Sequence, residues 1–279
     1  MKQPLVSILV RTCQRPQILE YALDSIRKQT YKNIQTIVVE DGDNVSEKLL
    51  KNKFSDLNYV YKATIEKVGR AVTGNVALEL ADGEYINFLD DDDILLPEHI
   101  CRLVHTITNS KNMAAYSNAT EIQINVTSYN PYKYIVKRKI NRYHQPFNRL
   151  LLYTFNYIPI QSIMFSRKLY EELGGFDTGL DALEDWDIWV RYSTRTNFTY
   201  VNAITSCYFI SYKRKNKKKR GIALNKYNEV LYTKFRDYSL TLNVSEINSE
   251  MKYVIDEYKE KKFMRYLKIM IRRILWGDR

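Results

Sequence analysis

Four consecutive aspartates, Asp90-Asp91-Asp92-Asp93, are the residues whose type and spacing most demand a chemical account. Adjacent carboxylates repel one another, and holding them at the end of an apolar run costs stability unless cations or donors offset the charge. A hard divalent cation such as Mg²⁺ or Mn²⁺ is the natural partner, since both prefer oxygen ligands and bridge to phosphates. The plainer account is a solvated acidic turn before a helix, with Asp93 near the positive end of the helix dipole. The apolar segment that precedes the run, Tyr85-Ile86-Asn87-Phe88-Leu89, reads as a buried strand and favours the first account. Two other polar clusters follow apolar stretches in the same way: Arg11-Thr12 after residues 4–10, and Glu40-Asp41 after residues 34–39.

The elements that must position these clusters alternate. Residues 4–10 are expected as a strand and 11–16 as a turn. Ile18, Leu19, Ala22, Leu23 and Ile26 then share one helical stripe. Strands at 34–39, 58–61 and 85–89 and a helix at 69–81 complete a βαβ rhythm, which predicts a mostly parallel sheet flanked by helices. In such α/β sheets ligands bind beyond the carboxyl ends of the strands, and all three polar clusters lie at such ends. Past Pro97 a helix is expected, then strands at 113–117, 121–126 and 158–166. A helix at 168–173, a break at Gly174-Gly175, a mixed acidic and aromatic stretch at 183–192 and a strand at 200–212 follow. Beyond Gly221 the pattern is helical to the end.

Composition narrows the class. With 45% hydrophobic residues the 279-residue chain can build a sizeable core, and only 9 glycines and 6 prolines argue against long disordered linkers. Cys13, Cys101 and Cys207 lie far apart without a CxxC pair, so no disulfide framework or zinc knuckle is indicated, and a reducing cytoplasm is expected. No stretch approaches the roughly 20 apolar residues of a spanning helix.

The net charge of +11 is uneven, with basic blocks at Lys213–Arg220 and Lys261–Arg279. A nucleic-acid binder would spread such charge along one face, so no nucleic acid is expected. An RNA-binding reading also leaves the aspartates without a purpose. Phe263, Leu267, Met270, Ile271 and Ile274 recur at helical spacing among lysines and arginines. That pattern suits an anionic membrane surface, and equally a helix docked on the domain. Lys213–Arg220 would add to that attraction or form a mobile loop over the site.

The ordered motifs resemble family 2 glycosyltransferases over roughly residues 4–212. Arg11-Thr12-Cys13-Gln14-Arg15-Pro16, Val38-Val39-Glu40-Asp41-Gly42, Asn75-Val76-Ala77-Leu78, Ala81-Asp82-Gly83-Glu84-Tyr85-Ile86 before the aspartates, Gly174-Gly175-Phe176-Asp177 and Glu184-Asp185-Trp186-Asp187 appear in the family's order. The resemblance implies a GT-A fold and a metal-dependent, inverting transfer. The donor would be a nucleotide-sugar, UDP-linked by preference, and the acceptor a glycan or lipid-linked hydroxyl in surface polysaccharide synthesis. It implies Asp92 as ligand of Mn²⁺ or Mg²⁺, with Asp90 and Asp91 near the metal or the ribose.

Asp41 would hold the base, Arg11, Thr12 and Arg15 would line the nucleotide pocket, and Asp185 would be the catalytic base. Residues 1–97 would form a nucleotide-sugar half, 98–221 an acceptor half and 222–279 a helical, basic extension. The protein would work in the cytoplasm, peripherally on the inner face of the membrane. A non-catalytic nucleotide-binding or scaffold protein of the same fold is the alternative, motivated by the departures at Cys13 and Gly74. Cys13 stands where an aromatic often stacks on the base. Gly74 stands where an arginine usually precedes the helix asparagine, with Arg70 a substitute. No histidine follows the last strand, where Tyr212, Lys213 and Arg214 stand instead.

Overall fold

The computed structural model describes residues 3–142 and 144–256. Strand β1 (Val6–Thr12) lies in mid-sheet and is buried throughout. Its alternation divides it between two apolar clusters: Val6, Ile8 and Val10 face one and Leu9 the other. Helix α1 (Pro16–Arg27) begins on a proline, tolerated there because the first N–H groups have no helical partner, and buries the expected stripe from Ile18 to Ile26. Then come β2 (Ile34–Glu40), α2 (Glu47–Lys53), β3 (Tyr59–Ala63), α3 (Arg70–Glu79) and β4 (Tyr85–Asp90). β1 pairs in parallel with β2 and β4, and β2 with β3. The register sets Arg11 beside Asp90 and Thr12 beside Glu40, so all three polar clusters reach one rim.

The second half follows as β5 (Ile94–Leu95), α4 (His99–Thr108), β6 (Ala114–Tyr129), β7 (Tyr132–Arg142), α5 (Arg149–Leu152), β8 (Ile163–Ser166), α6 (Arg167–Leu173), α7 (Glu184–Ser193), β9 (Phe198–Ser211), α8 (Arg214–Phe235) and α9 (244–256). The strand order is β3-β2-β1-β4-β8-β6-β9-β5, with β7 paired on β6. β8 runs antiparallel to β4 and β6, and β5 antiparallel to β9, while β6 and β9 are parallel. The parallel rhythm therefore describes residues 6–90, and the whole sheet is mixed. Helices α1, α2 and α4 cover one face of the sheet; α3 and α5 to α8 cover the other.

Several expected boundaries shift. Segments 113–117 and 121–126 are one strand, β6, which stays paired with β9 across an irregularity at Asn118. β7 went unanticipated because an edge strand paired on one side carries exposed lysines and arginines instead of an apolar alternation. Of 158–166 only Ile163–Ser166 is strand, with a 3-10 turn at Ile160–Ser162 before it. Lys213–Arg220 is no loop: Arg214 opens α8, which crosses residue 221 without a break and buries Leu231 and Phe235 in the core. The basic stripe from Lys261 to Arg279 lies outside the described residues. Among the described residues no helix is long and apolar enough to cross a membrane.

The turn into β4 is tightly packed on β1. Gly83 donates its N–H to Ser7 Oγ at 2.8 Å, and a Cβ at residue 83 would lie 2.5 Å from the Ser7 backbone nitrogen. Gly83→Ala is expected to lower stability by about 1–3 kcal/mol, as overpacking does elsewhere. Urea denaturation measures this, and an unchanged midpoint would contradict the contact.

Candidate active site

The site is built around Arg11. Its side chain is buried, with Nε and Nη2 donating to Asp90 Oδ1 at 2.9 and 2.7 Å and Nη1 donating to Glu184 Oε1 at 2.9 Å. The guanidinium lies 5.8 Å from the ring centre of Phe88 and 5.4 Å from that of Phe176. Burial by itself would lower the Arg11 pKa, but Asp90 and Glu184 outweigh it and raise it, so the group stays cationic. Burial likewise works upward on Asp90, yet Arg11 and then Arg70 hold that carboxylate below its usual range.

Gly74 makes this arrangement possible. A Cβ there would lie 2.5 Å from the Phe176 ring and 3.5 Å from Arg11 Cδ. No side chain fits at residue 74 while the Phe176 ring lies over Arg11. Arg70 opens α3 about half exposed, 3.7 Å from Glu184, so it joins the cluster without filling that space. Asn75 clamps the backbone of Phe176, accepting from its N–H at 2.7 Å and donating to its carbonyl at 2.9 Å. A Cβ on Gly175 would strike Asn75 Oδ1, which accounts for the second glycine of the motif. Asp177 pairs with Lys234 of α8 at 2.6 Å, and the same lysine reaches Asp187 at 2.8 Å.

The four aspartates have four different environments. Asp91 is buried and accepts from Thr12 Oγ1 at 2.7 Å and from Arg15 through Nε, at 3.0 Å, and Nη2. Asp93 accepts from the Phe209 N–H at 3.0 Å, and burial together with Asp92 and Asp90 raises its pKa well above the usual carboxylate range. It caps no helix, because the chain enters β5 first and Glu98 occupies the N-cap position of α4. Asp92 is 39% exposed, with Arg15 Nη1 at 3.6 Å. Among the described residues no three His, Cys, Asp or Glu side chains form a metal cage. Mg²⁺ and Mn²⁺ sites that include substrate phosphates need only one or two carboxylates, and Asp92, with Asp90 beside it, presents oxygen to both cavities. The carboxylates present therefore fit a metal site only if a bound ligand supplies the remaining oxygens.

Two cavities open on these residues. Arg15, Asp41, Thr73 and Asp91 are among the lining of a cleft of about 410 Å³. Asn156, Gln161, Asp185 and Phe209 are among the lining of a cavity of about 530 Å³. Arg11, Arg70, Asp90, Asp92 and Asp181 belong to both, so the two share a wall. The family model described as glycosyl transferase family 2 matches residues 7–174. The chain belongs to that family.

Among family relatives, the putative colanic acid biosynthesis glycosyl transferase WcaA of Escherichia coli (strain K12) is 31% identical over 191 residues, 67% of this chain and 66% of WcaA. An uncharacterized glycosyltransferase of Rickettsia felis is 27% identical over 196 residues, 67% of this chain and 31% of that protein. The chain thus spans between about a third and two thirds of the length of these relatives. In fold it is similar to S. aureus TarS 1–349, with TM-score 0.65 at 15% identity over 85% of this chain and 67% of that one. It is also similar to the mannosyltransferase PcManGT from Pyrobaculum calidifontis, solved with GDP-Man and Mn²⁺, with TM-score 0.63 at 16% identity over 86% and 67%. The GT-A fold expected from the motifs is the one observed.

In this family 2 chain Asp185 sits in the first turn of α7, entered through Leu183, whose left-handed backbone (φ 62°) is strained for a leucine. The turn sends Glu184 to Arg11 and Asp185 to the cavity. Asp185 accepts from Asn156 Nδ2 at 3.0 Å and from the Trp186 N–H at 2.9 Å. Burial, then the charge of Glu184, pushes its carboxyl up to about 7. Asp41 lines the cleft and accepts from the N–H groups of Val68, at 2.7 Å, and Gly69. Trp186 and Trp189 are core residues, Trp186 Nε1 donating to the Leu152 carbonyl. His99 is buried against Thr205, and burial lowers it to about 3, so it packs as a neutral ring.

Asn156, Gln161 and Asp181 carried no signal of spacing or type, since loops and a short 3-10 turn bring them in. Among the described residues Gln161 Nε2 has no hydrogen-bond partner, and Asp181 accepts from Tyr227 of α8 at 2.8 Å. The buried bridge itself is testable by removing its cation. Arg11→Met strands Asp90 and Glu184 and is expected to cost about 3–5 kcal/mol, the cost of breaking a buried pair. Adding Glu184→Gln should restore part of it in urea denaturation. A loss within the ~0–1 kcal/mol of a surface pair would refute the bridge.

Proposed function

We propose that this chain is an inverting glycosyltransferase that moves a sugar from a nucleotide-linked donor, UDP-linked by preference, to a hydroxyl of a glycan or lipid-linked acceptor. The observation that carries the reading is the wall shared by the two cavities, because transfer needs a donor and an acceptor that meet at one carbon. The cleft beside Asp41 takes the nucleotide, with the open lone pairs of Asp41 accepting from a ring N–H of the base. The cavity beside Asp185 takes the acceptor. The likeness to WcaA, named for colanic acid biosynthesis, supports a surface polysaccharide as the product.

Asp185 is the base. Asn156 and the Trp186 N–H orient its carboxylate and leave oxygen lone pairs for the acceptor hydroxyl. As the hydroxyl oxygen bonds to the anomeric carbon, its proton passes to Asp185 and the bond to the donor phosphate breaks on the opposite side. A carboxyl near 7 is well matched to that task at neutral pH. Arg11 and Arg70 set two cations at the shared wall, near where charge grows on the departing diphosphate. Mn²⁺ or Mg²⁺ held by Asp92 would add further positive charge to the leaving group.

Asp185→Asn is expected to abolish transfer while nucleotide binding persists; undiminished turnover would sink the assignment. In the wild type, kcat should fall about tenfold per pH unit below the Asp185 pKa of about 7 and level off above it. The sign for stability is opposite. The folded carboxyl keeps its proton to higher pH than the unfolded one, so ionisation destabilises the fold as pH rises. Asp185→Asn should therefore melt higher than wild type at pH 8, with the gain fading toward pH 4. For the metal, thermal shift with UDP, GDP and dTDP sugars should show a donor-linked gain that Mn²⁺ increases, and Asp92→Asn should abolish the Mn²⁺ increment. An increment that survives in that variant would remove Asp92 from the metal site.

A further inference from the structure

Two segments hold the charge that the acidic cavity leaves unexplained. Residues 122–142 and 207–228 contain thirteen lysines and arginines and no aspartate or glutamate, more positive charge than the +11 of the whole chain. The fold brings them together. Val136 of β7 lies opposite Ile124 of β6, and Ile124 lies opposite Ser211 at the end of β9. Two strand spacings therefore separate the segment around Ile135–Lys137 from Tyr212–Lys213, about 10 Å. Lys133, Lys137, Arg138 and Lys139 on β7, with Lys213, Lys215 and Lys218 at the start of α8, are all exposed. None of these seven forms an ion pair among the described residues, whereas Arg27, Lys51, Lys53, Arg102, Arg167 and Arg195 all do.

Apolar side chains stand among these cations. Tyr129 is 70% exposed at the hairpin turn, Ile135 50% and Val136 42%. Lysines on an edge strand also deter edge-to-edge pairing, but that role explains neither the aliphatic side chains between them nor the run on α8. A soluble polyanion satisfies the lysines and leaves Ile135 and Val136 in water. The boundary between headgroups and acyl chains satisfies both kinds of group. The surface also adjoins the cavity, since Phe209 lines it and β9 ends two residues later, where the cations begin.

We propose that the β6–β7 hairpin and the first turns of α8 dock on an anionic lipid bilayer, setting the mouth of the Asp185 cavity at the membrane plane. The anionic surface is met by the rim, so the acidic cavity receives only the neutral hydroxyl end of an acceptor. This contact is separate from the 261–279 stripe and is expected to persist whatever that stripe does.

The test is flotation of the full chain with vesicles of 30% phosphatidylglycerol in phosphatidylcholine, against phosphatidylcholine alone. Wild type should bind the anionic vesicles, and binding should weaken steeply with salt. Lys213→Gln/Lys215→Gln/Lys218→Gln and Lys133→Gln/Lys137→Gln/Lys139→Gln should each weaken it by on the order of a hundredfold, given the attraction of each cation near such a surface. Ile135→Ser should weaken it several-fold without changing its salt dependence. All these side chains are exposed, so melting temperatures should match wild type. Vesicle binding at wild-type strength in both triple variants would overturn the proposal, as would a wild type that binds inorganic polyphosphate but not the anionic vesicles.

Discussion

A single buried guanidinium carries the constraint on which the rest of this molecule depends. Arg11 joins the end of β4 to the start of α7 through Asp90 and Glu184, residues that lie far apart in the chain. Burying that cation is tolerable only because two carboxylates and two aromatic rings surround it. Gly74, Asn75 and Gly175 then acquire a common reason: they let Phe176 close over Arg11. The departure at Gly74, which by itself suggests a degraded site, is the steric complement of the Phe176 ring that covers Arg11.

The same bridge sorts the carboxylates by environment. Asp90 is held ionised by arginines, Asp91 is spent on Thr12 and Arg15, and Asp93 is sealed behind β9 with one backbone donor. Asp92 is the most exposed of the four, at 39% against 25% for Asp90. Asp185 next to Glu184 shows the contrast most clearly. Glu184 is neutralised by Arg11, while Asp185 has only neutral donors and is pushed up to about 7. One residue type thus provides a structural anchor, a candidate metal ligand and a candidate base.

Helix α8 ties these parts together from outside. Its lysine Lys234 pins the Gly-Gly-Phe-Asp loop, Tyr227 holds Asp181 at the shared wall, and Leu231 and Phe235 enter the core beside Trp186. A segment that reads as the start of an extension is a wall of the site. Lys213, Lys215 and Lys218 at its start are exposed, beside an edge strand that also carries exposed lysines.

What the sequence determined by itself was the rim. Strands 6–12, 34–40 and 85–90 are mostly apolar runs closed by polar residues, so local pattern and the parallel βαβ rule placed Arg11, Asp41 and the aspartates together. The family motifs added Asp185 on the same rim. Everything that depended on side chains meeting across the chain was left to the tertiary structure. β7 was hidden because edge strands need no alternation, and Asn156, Gln161 and Asp181 because loops and a short 3-10 turn have no period to read. The split among the four aspartates was hidden as well, since it is set by which cation, hydroxyl or backbone donor lies opposite each one. Periodicity reports burial along one element; charge, desolvation and hydrogen bonding are properties of several elements at once, and only the folded chain decides them.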